Sequence, residues 1–203
     1  PAKRLQNIAR KWTPAAGSKS AAVLPLMLQW DAKMTRESTP AAIFLMWLSR
    51  LQTAVVENPP GLSTTVELTL KTLETKPRPD LLQKTLDATI KEFEGALGPD
   101  KNRWRYGNIH FLQLKHPANQ KEYDRGPIPL GGDSTTINVA AGPGFRVTTG
   151  ASFRMLLDTA DWDKSRMTNL PGEVGDPDSP HYADLIDDWT NGRYHPMPFT
   201  RKA

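Results

Sequence analysis

The run Asn169-Leu170-Pro171-Gly172-Glu173-Val174-Gly175-Asp176-Pro177-Asp178-Ser179-Pro180-His181-Tyr182 breaks every regular pattern on either side of it. Pro171, Pro177 and Pro180 each remove a backbone donor and fix φ, which bars both a continuous helix and a central strand. Asp184-Leu185, Trp189, Gly192-Arg193-Tyr194 and Pro196-Met197-Pro198-Phe199 follow closely. The reading is an ordered loop with fixed turns, packed on a sheet and closed by a short helix over about 179–189 that buries Leu185 and Trp189.

Upstream of the loop the chain reads as short strands. Trp104-Arg105-Tyr106-Gly107 leads into Asn108 to Lys115, which alternates in places and stops at His116-Pro117, so a strand is expected near 108–115. Pro127 to Asp133 reads as loop. Strands are expected over 135–140 and 151–158, with a shorter one over 146–149 and a turn at Gly142-Pro143-Gly144. Further upstream the period changes to that of a helix. Ala41, Ile43, Phe44, Met46, Trp47, Leu48, Leu51 and Val55 recur at spacings of three and four, behind Thr39-Pro40, and Asn58-Pro59-Pro60-Gly61 stops them. A second helix, with Asp80 as cap, carries Leu82, Leu86, Ile90, Phe93 and Leu97 on one side and ends at Gly98-Pro99. Thr64 to Thr75 is ambiguous, because its threonines favour a strand and its leucine spacing tolerates a helix. Helices expected over 39–57 and 80–97, then strands, make an α+β chain with one antiparallel sheet and helices on one face. The expected divisions are a connecting segment over 1–22, a helical region over 23–103, and sheet strands with the terminal loop over 104–203.

Composition bounds the function. The chain has 203 residues, enough for a sizeable core, with 38% apolar residues and 18 prolines. Six Trp and six Phe spread along it argue for fixed turns rather than disorder. Net charge is +4 and the basic residues have acidic neighbours, so no nucleic-acid face stands out. The densest basic piece, Lys3-Arg4 to Arg10-Lys11-Trp12, reads as a solvated end. Cysteine is absent, which excludes disulfides and thiolate metal sites. No apolar run approaches the roughly 20 residues of a membrane span. The chain opens on Pro1 and its first residues do not read as a signal peptide, so any targeting segment would lie upstream.

The terminal run resembles the C-terminal signature of the penicillin acylase family of N-terminal-nucleophile hydrolases. The order of weaker motifs agrees. Trp30-Asp31 with Ser38 to Trp47 is similar to the family's tryptophan-rich start, and Trp104, Tyr106-Gly107, His110 and His116-Pro117 to its aromatic-Gly-His segment. Gly131-Gly132-Asp133, Ile137-Asn138-Val139 and Gly150-Ala151-Ser152-Phe153-Arg154-Met155 with Asp158 are similar to its last strands. The likeness runs from about Leu24 to Arg201 and departs at Glu173-Val174, where many members have Gln-Ser.

The resemblance implies an αββα sandwich and a precursor that cleaves itself. Its second subunit begins with a Ser whose own α-amino group, with an ordinary pKa near 8, serves as base. It implies cleavage of the acyl side chain from a β-lactam, an acyl-homoserine lactone or another amide, a periplasmic or secreted location, and calcium held elsewhere in the full-length member. The present chain matches the C-terminal part. Pro1 cannot be the nucleophile, and Ser18, Ser20 and Ser38 have no match to it. No catalytic, cofactor-binding or metal residue is therefore assigned within this chain. The expected partners are the upstream remainder of the precursor (the alpha subunit and the start of the beta subunit) and a small-molecule amide. The alternative is a non-catalytic structural module or truncated product that needs a partner chain.

Other chemistry-bearing groups have structural readings. His110 and His116 would share a face of a strand but lack an acidic partner at ligand spacing, so hydrogen bonding is expected of both. His181 is expected to pin backbone carbonyls. Asp176, Asp178, Asp184, Asp187 and Asp188 do not follow calcium-loop spacing and suit turns and caps. Gly142-x-Gly144 lacks the context of a phosphate loop, and Ser152 that of a nucleophile elbow. Arg154 is the best candidate for a buried ion pair, with Asp158 or the terminal loop.

Overall fold

The computed structural model describes residues 1–55 and 65–200. The chain forms two compact units, Pro1–Ile109 and His110–Ala203. The described residues of the first form helices and no strand: α1 Ala2–Ala9, α2 Lys19–Gln29, α3 Thr39–Ala54, α4 Val66–Thr75 and α5 Pro79–Leu97. Each of three helix starts has a side-chain cap. Ser18, Ser38 and Thr65 accept from the backbone N–H of Ala21, Ala41 and Leu68, each at 3.2 Å. α5 starts one residue before Asp80, at Pro79, and Gly98 ends it at φ 83°. Packing of α3 on α5 builds the centre of this unit, where Trp47, Leu51, Leu86, Ile90 and Phe93 are buried. The Trp47 indole donates to Thr85 Oγ1 at 2.9 Å.

Four expectations change here. The segment over 1–22 is not a plain connection, because α1 buries Leu5, Ile8 and Ala9. Gln6 Nε2 also donates to the carbonyls of Met27 and Trp30 at 2.7 and 2.8 Å. The basic residues around this narrow apolar stripe hid it. Arg4 is paired with Glu67 at 2.6 Å and Glu74 at 2.7 Å rather than simply solvated. The ambiguous threonine-rich stretch is helix α4, whose Thr69, Thr72 and Thr75 hydroxyls donate back to carbonyls four residues earlier. The stop at Asn58–Gly61 lies outside the described residues. The units divide after Ile109 rather than at Trp104, because Trp104 and Tyr106 are buried in the helical unit. Trp104 stacks on Phe93 at 5.3 Å, and the Tyr106 N–H donates to Ser38 O at 3.2 Å.

The second unit holds β1 Phe111–Leu114, β2 Arg125–Pro129, β3 Ala140–Ala141, β4 Arg146–Val147, β5 Thr149–Gly150, β6 Arg154–Leu156, β7 Arg166–Thr168, α6 Ile186–Asn191 and β8 His195–Pro196. Among the described residues the strands make three small sheets, ordered β2-β1-β4, β3-β5 and β6-β7-β8, and not the single antiparallel sheet expected. The β1–β4 pair is parallel; the other pairs are antiparallel. The chain is α+β, with its strands cut short by turns. The strand expected at 108–115 loses its start to a 3-10 turn over Tyr106–Asn108. The one expected at 135–140 shrinks to Ala140–Ala141, because Asp133 Oδ1 captures the N–H and hydroxyl of Thr135 at 2.7 and 2.8 Å. The one expected at 151–158 is reduced to β6. β2 occupies part of the expected loop at 127–133, and its two prolines fit because it is an edge strand. Leu112, Leu130, Ala140, Val147, Ile186 and Trp189 form the core of this unit. Among the described residues no helix is long and apolar enough to cross a membrane.

Candidate functional site

The terminal loop is held at both ends by its own backbone. The N–H of Val174 donates to His181 O at 3.3 Å, and the N–H of Leu185 donates to Pro171 O at 3.2 Å. Gly172 lies where these strands of loop meet. A Cβ there would stand 2.2 Å from His181 O and 2.8 Å from the Tyr182 carbonyl, so only glycine permits the approach. Gly172→Ala is therefore expected to destabilise the chain by about 1–3 kcal/mol through forced backbone movement. Gly175→Ala, whose Cβ would meet nothing within 4 Å, should be near neutral, and urea titration of the two variants checks both expectations. The expected helix over 179–189 is displaced to α6, because Asp178 and His181 close side-chain turns on Asp176 and Ser179. Ile186 and Trp189, rather than Leu185 and Trp189, are its buried pair.

Beneath the loop lies a cavity of about 420 Å³, between Pro171–Gly175 on one side and His116, Tyr123, Arg125 and Tyr182 on the other. The Tyr182 hydroxyl donates to Tyr123 O at 3.2 Å, and the Arg125 guanidinium sits 4.9 Å over the Tyr182 ring. The His116 ring lies 5.4 Å from Tyr123 and 6.4 Å from Tyr182. Its backbone N–H donates to Asp124 Oδ1 at 2.8 Å, while its enclosed Nδ1 has no hydrogen-bond partner among the described residues. The walls are thus aromatic, with one cation fixed on a ring face. Glu173 and Val174, the departure from the signature, stand exposed at the rim. A second cavity of about 350 Å³ shares Leu114 and Pro171 with the first and runs past Leu112, Val147, Leu170 and Trp189.

The sequence-derived candidates take separate places. His110 and His116 flank β1 instead of sharing its face. His110 is 2% exposed, with Nδ1 2.9 Å from Leu130 O and Nε2 3.2 Å from Ala140 O, and ties strand ends together. His181 does not pin carbonyls with its ring; Nδ1 pairs with Asp184 Oδ2 at 2.8 Å, and that bond holds the Asp184 carboxyl below the usual range. Asp187 and Asp188 both engage Arg193, the latter at 2.7 Å. Arg154 forms no ion pair with Asp158, whose carboxylate accepts the N–H groups of Ala160 and Asp161. Instead it donates to Asn138 Oδ1 at 2.7 Å and to Trp189 O, with its guanidinium 4.4 Å over the Trp189 ring. Burial lowers its pKa from the ordinary arginine value. Ser152 is exposed, and Gly142 folds back so closely that a Cβ would stand 1.8 Å from Arg146 O. Among the described residues no group of three or more His, Asp or Glu is arranged to hold a metal. Sequence reading passed over Tyr123 and Arg125; the available signal was an aromatic and a cation just before Gly126-Pro127.

The penicillin amidase family profile matches residues 2–203. The chain belongs to the penicillin amidase family. It is 34% identical over 131 residues to the acyl-homoserine lactone acylase QuiP of Pseudomonas fluorescens (strain Pf0-1), covering 63% of this chain and 16% of that protein. It is 32% identical over 149 residues to QuiP of Pseudomonas aeruginosa, covering 64% of this chain and 18% of that protein. Against the penicillin acylase 2 proenzyme of Pseudomonas sp. (strain SE83) identity is 29% over 124 residues, 60% of this chain and 16% of that protein. The chain therefore spans about a sixth of the length of these penicillin amidase relatives. The thermostable penicillin G acylase of Alcaligenes faecalis aligns with a TM-score of 0.46 and 17% identity, over 100% of this chain and 44% of that one.

Proposed function

We propose that the chain is the C-terminal part of a penicillin acylase-like amidohydrolase that removes an acyl group from an amide, an acyl-homoserine lactone or a β-lactam among them. The observation that carries this reading is the family match over residues 2–203, with acyl-homoserine lactone acylases among the relatives. The nucleophile is supplied upstream, as an N-terminal Ser whose α-amino group takes its proton, with backbone donors for the oxyanion. The side chains here support that division of labour. His110 is spent on two carbonyls and His181 on Asp184, and Ser152 is not part of a nucleophile elbow. In this role the terminal loop and its cavity are scaffold, and the location is periplasmic or secreted. Calcium, where the full-length protein holds it, is bound outside this chain.

The test is hydrolysis of chromogenic phenylacetyl and long-chain acyl amides by the purified chain and by the full-length precursor. Turnover is expected only with the upstream portion present. Turnover by the chain alone, lost on changing His110 or His181, would overturn the proposal, as would an inert, correctly processed full-length protein.

A further inference from the structure

Arg125 is a fixed cation with donors to spare. Its Nη1 donates to the carbonyls of Tyr123 and Asp124, both at 3.0 Å. Its guanidinium lies 4.9 Å over the Tyr182 ring, and the Tyr182 hydroxyl donates to Tyr123 O at 3.2 Å. Backbone and ring together set the plane of the group, so little side-chain freedom is left to lose on binding. Nε and Nη2 make no hydrogen bond among the described residues, and neither is enclosed by protein. That edge presents the parallel donors that take a carboxylate at two points. Among the described residues no acid pairs with it. The Asp124 carboxylate accepts the His116 N–H, and that of Glu173 faces Asn169 Nδ2 at 3.5 Å.

The residue lines the cavity of about 420 Å³ under the terminal loop, where Tyr123, Tyr182, His116 and Pro171 supply flat walls. That volume suits a ligand of one or two fused rings. Rings gathered around a cation favour a flat π system with an anion at one end. We propose that this cavity binds a small aromatic carboxylate, with its carboxylate on the Nε–Nη2 edge of Arg125 and its ring among Tyr123, Tyr182 and His116. A free phosphate would use the cation and leave the ring walls idle. The inference concerns binding only and stands apart from the hydrolase reading.

The probe is 2-naphthoate, titrated into the chain by calorimetry, with submillimolar binding expected. 2-Naphthamide has the same shape without the charge, and inorganic phosphate has charge without the rings. Each should bind the wild-type chain at least about tenfold more weakly. Arg125→Gln is expected to weaken naphthoate binding by about tenfold or more. Lys115→Gln removes the same charge from an exposed side chain of the same wall and should cost less than about twofold. Arg125→Lys keeps the charge, loses the two-point edge and should fall between them. Proton NMR of the wild-type chain gives a readout independent of any variant: the His116 and Tyr182 ring signals should shift as naphthoate is added. The difference between wild type and Arg125→Gln should persist in the full-length precursor. Naphthamide or phosphate binding as tightly as naphthoate would overturn the proposal, as would ring signals that do not move. Equal losses in Arg125→Gln and Lys115→Gln would reduce the site to general charge attraction and overturn it too. So would an effect of Arg125 that vanishes in the precursor, since the cavity would then be closed to ligands in the longer protein.

Discussion

Trp189→Ala is expected to destabilise the chain by about 3–5 kcal/mol. Trp189 is 1% exposed and belongs to the core that Leu112, Leu130, Ala140, Val147 and Ile186 build. Truncation empties the largest side chain of that cluster, and the short strands around it have little freedom to close the gap. Its indole N–H also donates to Ala151 O at 2.9 Å, and its ring carries the Arg154 guanidinium. The variant thus removes an apolar filling, a hydrogen bond and the platform of a half-buried cation together. Trp189→Phe separates these contributions, because it keeps a ring under Arg154 and loses the N–H. Urea unfolding followed by circular dichroism should place it well between wild type and alanine. An unchanged midpoint for Trp189→Ala would show that the terminal segment is only loosely attached.

Trp47→Ala is expected to cost a similar amount, about 3–5 kcal/mol, in the helical unit. Trp47 is 0% exposed on α3, and its indole donates to Thr85 Oγ1 at 2.9 Å. That hydroxyl in turn donates to Leu81 O at 2.7 Å, so the tryptophan completes a short relay on α5. Thr85→Val keeps the volume and deletes the acceptor, leaving a buried N–H without a partner at a cost of about 1–3 kcal/mol. Loss of helical signal at lower urea in Trp47→Ala, with a smaller shift in Thr85→Val, is the expected order. Equal shifts in the two variants would assign the whole effect to the hydrogen bond.

The parts of the fold that could be read from residues alone are those whose information is local. α3 and α5 announce themselves by a period of three and four, by Thr39-Pro40 at one start and by Gly98 at the other's end. α1 was obscured because Leu5, Ile8 and Ala9 find their cover from elsewhere in the helical unit, which no local pattern reports. α4 was undecided because threonine's strand preference is overturned by back-donation to the preceding turn, a contact visible only once the helix exists. The strands were least legible. Runs of two to five residues are too short to display alternation, and their partners lie far along the chain, as with Leu112 and Val147. The terminal loop was recognisable by its glycines and prolines, and Trp189 as its buried anchor. The identity of the cavity walls was not, since Tyr123 and Arg125 meet Tyr182 only through the fold.

The doubly clamped loop has a practical use. Gly175 lies inside the inner tether, next to Val174, exposed, with nothing within 4 Å of the position its Cβ would take. The chain contains no cysteine. A single cysteine placed there would carry a fluorophore at one defined point, with no other thiol to label. Its emission would report release of Val174 from His181 in real time, making the loop an optical gauge of how tightly its two arms are fastened to each other.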